Sequence, residues 1–188
     1  NWKFASLSGI FWQSLVTVGM AIPVAAFVES FNHDPVQQDN GKWLWTYEFT
    51  TLLGANYTAS LFADVGILNI NWEMYISKAD EFENFLWFTG ESDLIATSGT
   101  WTLNREPNDP NPWIGIEWNI NPEDSTADIK YINILPDGPE NGGYIFYGVT
   151  TDLDYNAFYE IYNKGKENMT TINWNLETHE GRVSDSIH

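Results

Sequence analysis

The stretch Lys42-Trp43-Leu44-Trp45-Thr46-Tyr47-Glu48-Phe49-Thr50 decides the fold class of this 188-residue chain. Successive side chains of an extended strand point to opposite faces of a sheet. One face of this stretch is therefore aromatic, and it carries Trp43, Trp45, Tyr47 and Phe49. The other face carries Lys42, Thr46, Glu48 and Thr50, with Leu44 as the one apolar exception. The pattern predicts a half-buried antiparallel strand whose aromatic side forms either a solid core or the wall of a cavity.

Similar alternating runs continue to the end of the chain at intervals of roughly ten residues, which is typical of antiparallel β proteins. Runs separated by polar turns predict strands at residues 57–65, 67–77, 85–90, 99–104, 113–121, 127–135, 143–150, 157–163 and 170–178. Residues 91–93 are predicted to join two strands, and residues 105–112 to form a loop because three prolines disfavour a central strand. We therefore expect an all-β domain over residues 41–188, a single antiparallel β-barrel or curved β-sandwich of about eight to ten strands.

The N-terminal segment, residues 1–40, is hydrophobic and contains no charged residue from position 4 to position 28. It is predicted to be helical, most clearly over residues 21–31, where Pro23 falls in the first turn and is tolerated. Three interpretations stay open: a helix buried on its own sheet or in a partner, a transmembrane span, and a retained signal core. On the partner interpretation the contact residues are Phe11, Trp12, Leu15, Val18 and Ile22.

Composition excludes several classes of function. The chain has 26 acidic and 8 basic residues, a formal net charge of −18, so it lacks the basic patches that nucleic acids and anionic lipids require. It has no cysteine, which excludes disulfides, thiolate catalysis and cysteine-based zinc sites. The charge does permit calcium, a cationic partner or simply solubility at a crowded surface, and solubility is the simplest explanation. The sequence starts at Asn1 without an initiator methionine, and we expect a processed or trimmed product.

The one metal site that the sequence suggests is a calcium site at Asp152, Asp154 and Asn156. Their alternation presents three oxygen ligands on one side of a loop, as a hard cation requires, although a plain solvated turn explains the same residues. Ala157 occupies the sixth position, where an EF-hand needs glycine, so an EF-hand is not supported. No other cofactor is expected.

The aromatic positions provide the candidate ligand site. If the inner faces of the strands enclose a cavity, Trp43, Trp45, Trp72, Trp101 and Trp118 are its predicted ligand-binding residues. These five residues and Trp174 are all expected on strands and mostly buried. No catalytic residue is predicted. Glu48, Glu73 and Glu117 lie in mid-strand, and two of them facing one cavity would resemble the carboxylate pair of a glycoside hydrolase.

Several segments together resemble a family of uncharacterised Bacteroidota surface lipoproteins of the outer membrane. They are FLWFTGESD at 85–93, SGTWTL at 98–103, IEW at 116–118, DIKY at 128–131 and EGRV at 180–183. The resemblance covers roughly residues 20 to 188 and implies export, a lipidated cysteine upstream of or near Asn1, and exposure on the outer membrane. It implies no activity. The chain departs from the lipoprotein pattern because it has no cysteine at its start.

Three functions follow as hypotheses. The first is a non-enzymatic envelope lipoprotein that serves as an accessory subunit of an outer-membrane protein complex, which would explain the apolar N-terminal segment. The second is a small-ligand or glycan-binding barrel lined by the aromatic faces. The third is a hydrolase that uses paired carboxylates.

Overall fold

The computed structural model describes residues 21–186. One α-helix, α1 (Ala21–Ser30), precedes twelve β-strands, and a 3₁₀ turn, Lys164–Lys166, lies between the tenth and eleventh. The strands are β1 (Val36–Gln37), β2 (Trp43–Thr50), β3 (Asn56–Val65), β4 (Asn69–Lys78), β5 (Phe82–Asp93), β6 (Ser98–Glu106), β7 (Asp109–Asn121), β8 (Thr126–Asn133), β9 (Tyr144–Val149), β10 (Ala157–Asn163), β11 (Asn168–Trp174) and β12 (Gly181–Asp185). The predicted all-β class is confirmed.

All twelve strands form one antiparallel sheet in which each strand pairs with its neighbours in sequence. Within residues 21–186, β1 and β12 do not pair with each other, so the sheet is open. The number of strands, twelve, exceeds the predicted eight to ten because the sheet has two short edge strands. β1 has only two residues and β12 five, and both are too short to show the alternation on which the prediction rested.

Two predicted connections are parts of strands. Residues 91–93 continue β5 to Asp93, where they pair with residues 69–71 of β4. β7 starts at Asp109 and includes Pro110 and Pro112, so the predicted loop is shorter than expected. The register of β6 against β7 shifts on both sides of Asn104, and this irregularity at the hairpin end accommodates prolines that cannot donate to a regular ladder.

Helix α1 covers part of one face of the sheet. Its buried residues Pro23, Ala26 and Ser30 follow the three- and four-residue spacing of one helix side, and Pro23 lies in the first turn as predicted. The Tyr47 hydroxyl donates a 2.6 Å hydrogen bond to the Ala26 carbonyl oxygen, which fixes the helix to β2. α1 thus packs on one face of the sheet, and the short strand β1 that follows it pairs with β2 at the edge.

The face under α1 holds most of the core. One cluster of buried side chains joins α1 to β2–β7, and a second, smaller cluster is centred on Ile145 and Ile161 of β9 and β10. Fourteen of the seventeen buried apolar residues that the structure describes belong to α1 and β2–β7. We call β2–β7 the helix-covered half of the sheet and β8–β12 the open half.

No helix in the described part of the chain has the length and hydropathy needed to cross a membrane.

Candidate binding surface

The six tryptophans that were expected to be buried all lie on strands, but every one of them is only half-buried. Trp45, Trp72 and Trp101 pack against the large core cluster of the helix-covered half. The most buried tryptophan that the structure describes is Trp87, at 5% exposure, and it is not among the residues predicted from the sequence. It sits where the register of β5 slips against β4, so a simple alternation places it on the wrong face.

The tryptophans beneath α1 pack against one another. The Trp72 ring lies 6.1 Å from Trp45 and 6.4 Å from Trp101, measured between centroids. Phe27 of α1 meets both Trp72, at 6.4 Å, and Trp101, at 5.6 Å, in edge-to-face geometry. Trp101 lies directly over Gly90, where any Cβ would collide with the ring. Trp45, Trp72 and Trp101 therefore build core beneath the helix, and the space between them is filled by aromatic contacts.

Trp118 has a different setting. It lines an apolar groove of about 480 Å³ that runs along β7–β11 on the same face as α1, beyond the helix. We call this feature the aromatic groove. The side chains that shape it are Trp118, Ile120, Ile129, Tyr147, Val149, Tyr159, Trp174 and Leu176. Asp128 is the only residue with a formal charge among those that line it. This surface is therefore almost free of charged residues, although the chain as a whole carries a net charge of −18.

A continuous stack of aromatic rings crosses the open half. Tyr131 and Tyr147 lie 6.2 Å apart, Tyr147 and Tyr159 4.8 Å apart, and Tyr159 and Trp174 5.7 Å apart, with interplanar angles of 20°, 33° and 17°. Each ring comes from the next strand, from β8 to β11. Strand pairing explains the stack, because Tyr147 is opposite both Ile129 and Tyr159. The rings face one another, so a bound molecule meets mainly their edges.

The tyrosines of this stack are only partly shielded from water. Burial raises the pKa of the Tyr131 hydroxyl above its usual range, and the neighbouring Tyr147 adds to the effect. Burial also raises the pKa of Tyr159. Both groups are therefore neutral near pH 7, where they can donate hydrogen bonds. Sequence reasoning found the strands of these tyrosines but not the stack, because ring alignment depends on a register that a single sequence does not reveal.

The glutamates considered for catalysis do not converge. Glu48, Glu73 and Glu117 lie on β2, β4 and β7, on the face opposite α1. Glu73 and Glu117 are separated by three strand spacings, about 14 Å across the sheet. Glycoside hydrolases place their carboxylates roughly 5 to 9.5 Å apart. The arrangement of the three glutamates therefore does not favour the hydrolase hypothesis.

A second, polar cleft of about 700 Å³ lies at the turn end of β4–β7 and is bordered by Glu91, Asp93, Glu117 and Trp118. The Asp93 carboxylate is already used locally. It accepts hydrogen bonds from the Thr97 backbone N–H at 2.8 Å and the Ser98 hydroxyl at 3.1 Å, and it also contacts the Thr97 hydroxyl. These bonds, chiefly that of the Thr97 hydroxyl, lower the pKa of Asp93. Asp93 thus stabilises the β5–β6 turn.

The proposed calcium ligands also have local partners. Asp152 Oδ1 accepts hydrogen bonds at 2.8 Å from the backbone N–H groups of Asp154 and Tyr155, and these bonds lower its pKa. Asn156 Oδ1 accepts a 2.9 Å bond from the backbone N–H of Leu176. Between residues 21 and 186, no group of three or more His, Cys, Asp or Glu is placed to hold a metal ion. The geometry favours the turn interpretation.

Of the predicted partner-contact residues, the structure describes only Ile22, which packs against the core cluster of its own domain. Phe11, Trp12, Leu15 and Val18 lie outside the described residues.

Comparison with known proteins adds no relative: no protein family, no curated protein and no solved structure matches this chain.

Proposed function

We propose that the protein is a non-enzymatic accessory subunit of an outer-membrane protein complex of the cell envelope, and that it binds its partner protein through the aromatic groove. The observation that supports this proposal is the difference in cover between the two halves of the sheet. α1 packs on the helix-covered half, whereas the aromatic face of the open half keeps a groove of about 480 Å³. Apolar surface of this kind in a monomer is typical of an interaction site.

The chemistry of the groove indicates what the partner presents. Its centre is apolar and aromatic, which suits a partner contributing uncharged side chains. Acidic residues lie around it, with Asp128 on its wall and Asp152, Asp154 and Glu177 in the turns at its end. A partner with an apolar centre and flanking lysine or arginine residues therefore complements this surface in both charge and polarity.

The envelope location, surface exposure and a lipid anchor upstream of or near Asn1 also belong to the proposal, and they rest on the resemblance to Bacteroidota lipoproteins. The contact made by Phe11, Trp12, Leu15 and Val18 with the complex is proposed on the apolar character of that segment. Ile22, the fifth residue predicted for this contact, is partly buried against the core cluster of its own domain.

A small-ligand function is the second candidate, because the volume of the groove lies within the range of ligand pockets. A glycan fits less well than an apolar ligand. Sugars stack on the exposed face of an aromatic ring, whereas Tyr147 and Tyr159 each have a neighbouring ring against their faces.

The test is affinity purification of the full chain from its native envelope, with identification of the proteins that co-elute. Tyr159→Ala removes one of the two middle rings of the stack, and Tyr162→Ala is the matched control on the opposite face of the same strand. We expect the first variant to lose the partner and the second to retain it, with both folded by circular dichroism. A partner that stays with Tyr159→Ala would place the contact elsewhere. Deleting residues 1–20 in parallel measures the contribution of the N-terminal segment.

A further inference from the structure

The last strand, β12, forms one open edge of the sheet, because no other strand within residues 21–186 pairs with its outer side. The Asn175 N–H donates a 2.8 Å hydrogen bond to the Glu180 carbonyl oxygen at the start of the β11–β12 ladder. In an antiparallel pair, residues that exchange hydrogen bonds alternate with residues that do not. The N–H and C=O groups of Gly181 and Val183 therefore point away from β11, towards the open edge.

Several features that usually block a sheet edge are missing from this strand. β12 has the sequence Gly-Arg-Val-Ser-Asp and contains neither proline nor lysine. Its one basic residue, Arg182, lies on the face away from α1, where its guanidinium group is 4.6 Å from the centroid of the Tyr155 ring. The opposite edge of the sheet is much shorter, because β1 has only two residues. β12 is therefore the edge at which a further strand can pair.

The face of β12 that adjoins the aromatic groove has an unfilled position at Gly181. Three glycines of the sheet are paired directly with a tryptophan of a neighbouring strand: Gly90 with Trp101, Gly99 with Trp118 and Gly181 with Trp174. In the first two pairs the indole ring lies over the glycine, where an added Cβ would collide with ring atoms. At Gly181 the nearest atoms are instead the Asn173 carbonyl oxygen and the Cβ and Cα of Trp174. The tryptophan ring therefore does not fill the space over this glycine.

The ring of Trp174 is directed away from Gly181. It stacks on Tyr159 of β10 with centroids 5.7 Å apart and an interplanar angle of 17°. Because β10 and β12 lie on opposite sides of β11, the other face of the Trp174 ring is turned towards β12. Gly181 has no side chain to cover that ring face and is itself exposed. We call the space bounded by the Trp174 ring, Gly181 and Val183 the edge notch.

Two properties of the edge specify the molecule that fits it. Main-chain N–H and C=O groups at strand spacing are complemented by the main chain of another extended segment. The edge notch lies beside an aromatic ring, so an aromatic side chain of that segment fills it, as Trp101 and Trp118 fill the space over their glycines. Glu177 and Glu180 are exposed in the turn beside Gly181, so a lysine or arginine next to the aromatic residue complements their charge.

A second copy of this chain does not meet these requirements. Neither edge strand carries an aromatic residue, since β12 is Gly-Arg-Val-Ser-Asp and β1 is Val-Gln. Two copies paired through these edges would therefore leave the edge notch empty. Each copy also carries a net charge of −18, so two copies repel each other.

We propose that β12 binds an extended segment of another protein as an additional strand of the sheet, with an aromatic side chain of that segment in the edge notch and a basic residue beside it. The main-chain partners are the N–H and C=O groups of Gly181 and Val183. The edge notch adjoins the aromatic groove at Trp174, so one partner protein can use both surfaces. The proposal does not rest on the complex-subunit function, since the edge alone specifies the segment.

The probe is a fluorescently labelled, end-blocked peptide with a central tryptophan, alternating threonine and valine on either side, and a lysine at each end. Its binding to the full chain is measured by fluorescence anisotropy. The same peptide with alanine in place of tryptophan leaves the edge notch empty and is expected to bind at least about tenfold more weakly.

N-methylation of the peptide tests the main-chain pairing. A tryptophan opposite Gly181 exchanges hydrogen bonds with β12, so methyl groups on its amide and on the amides two residues away should abolish binding. Methyl groups on the intervening amides, which point away from β12, are the matched control and should change binding less than about threefold.

Val183→Pro makes the same test from the side of the protein. Proline removes the outward N–H and leaves the hydrogen bonds to β11 intact, and edge strands tolerate proline at such a position. Val183→Thr keeps the N–H and is the matched control. We expect Val183→Pro to bind the peptide at least about tenfold more weakly than the wild type and Val183→Thr to bind like the wild type, with both variants folded by circular dichroism.

If Val183→Pro does not fold, the two N-methylated peptides test the proposal on the wild-type protein. A wild type that does not bind the peptide at millimolar concentration would overturn the proposal, as would equal binding of the two N-methylated forms. Binding that N-methylation leaves unchanged but Tyr159→Ala abolishes would place the peptide in the aromatic groove and also overturn it. Dimerisation through β12, lost in Val183→Pro, would make a second copy the occupant and contradict the assignment. If β12 binds the peptide as expected but no protein co-elutes from the envelope, the complex-subunit function fails and this inference stands.

Discussion

The two halves of the sheet are built from the same kind of strand but are completed differently. In the helix-covered half, α1 packs Phe27 among Trp72, Phe88 and Trp101, and the side chains between them are buried. In the open half, an equally aromatic face remains half-buried, and only Ile145, Ala157 and Ile161 are buried apolar residues. Aromatic alternation alone therefore does not make a core. A strand face becomes core only where a second layer covers it.

The largest expected difference concerns core stability. Met74→Ala removes a fully buried side chain of the helix-covered half and is expected to lower the free energy of unfolding by about 2–5 kcal/mol. Ile172→Ala makes a comparable truncation on the same face of the open half, where the residue is half-buried, and should cost about 1–2 kcal/mol. Urea denaturation of both variants measures the contrast. Equal losses would mean that the open half is packed as tightly as the other.

The second prediction concerns alkaline pH. Burial raises the pKa of Tyr47 in the helix-covered half and of Tyr131 in the open half. A tyrosine whose pKa is raised on folding contributes stability below its unfolded pKa of about 10, and this contribution falls as pH rises towards the folded pKa. Wild-type stability is therefore expected to drop between pH 9 and 11, by at most about 1.4 kcal/mol per group and pH unit.

Phenylalanine substitutions separate the two tyrosines. Tyr47→Phe removes the buried hydrogen bond from the hydroxyl to the Ala26 carbonyl oxygen and should cost about 0.5–1.5 kcal/mol at pH 7. Tyr131→Phe should cost less at pH 7, because its neighbourhood is only partly buried. Both variants are expected to show a shallower alkaline decline than the wild type. Urea midpoints at pH 7, 9 and 11 provide the measurement, and an unchanged slope in both variants would contradict the assignment.

The sequence predicts the elements of this fold better than it predicts their assembly. Strands such as Trp43–Thr50 and the helix Ala21–Ser30 follow from side-chain alternation and from the placement of Pro23. The ring stack does not follow, since Tyr147 and Tyr159 meet only once the register of β9 and β10 is known. The need for glycine at position 90 does not follow from the sequence either. It arises because Trp101 lies over Gly90, and this contact depends on the pairing of β5 with β6.

Whether the strands close into a barrel is also a property of assembly. Closure depends on strand tilt and on the cumulative stagger of the register, and the sequence shows neither. Of the five tryptophans predicted as ligand-binding residues, only Trp118 lines the aromatic groove. The sequence could not separate it from the others, because it does not show how the strands are assembled. The other four share its strand alternation but lie on β2, β4 and β6, whereas the groove is lined by residues of β7–β11.

The smallest expected effect concerns the β9–β10 turn of the open half, where calcium was considered. Calcium would need the oxygens of Asp152, Asp154 and Asn156 together, but Asp152 and Asn156 already accept backbone hydrogen bonds. These bonds hold the turn without an ion, and within residues 21–186 no group of three or more His, Cys, Asp or Glu is placed to hold one. We therefore expect the melting temperature to be the same in EDTA and in millimolar calcium. Because a ligand that binds only the folded state always raises that temperature, a reproducible increase with calcium, lost in Asp154→Asn, would restore the metal site.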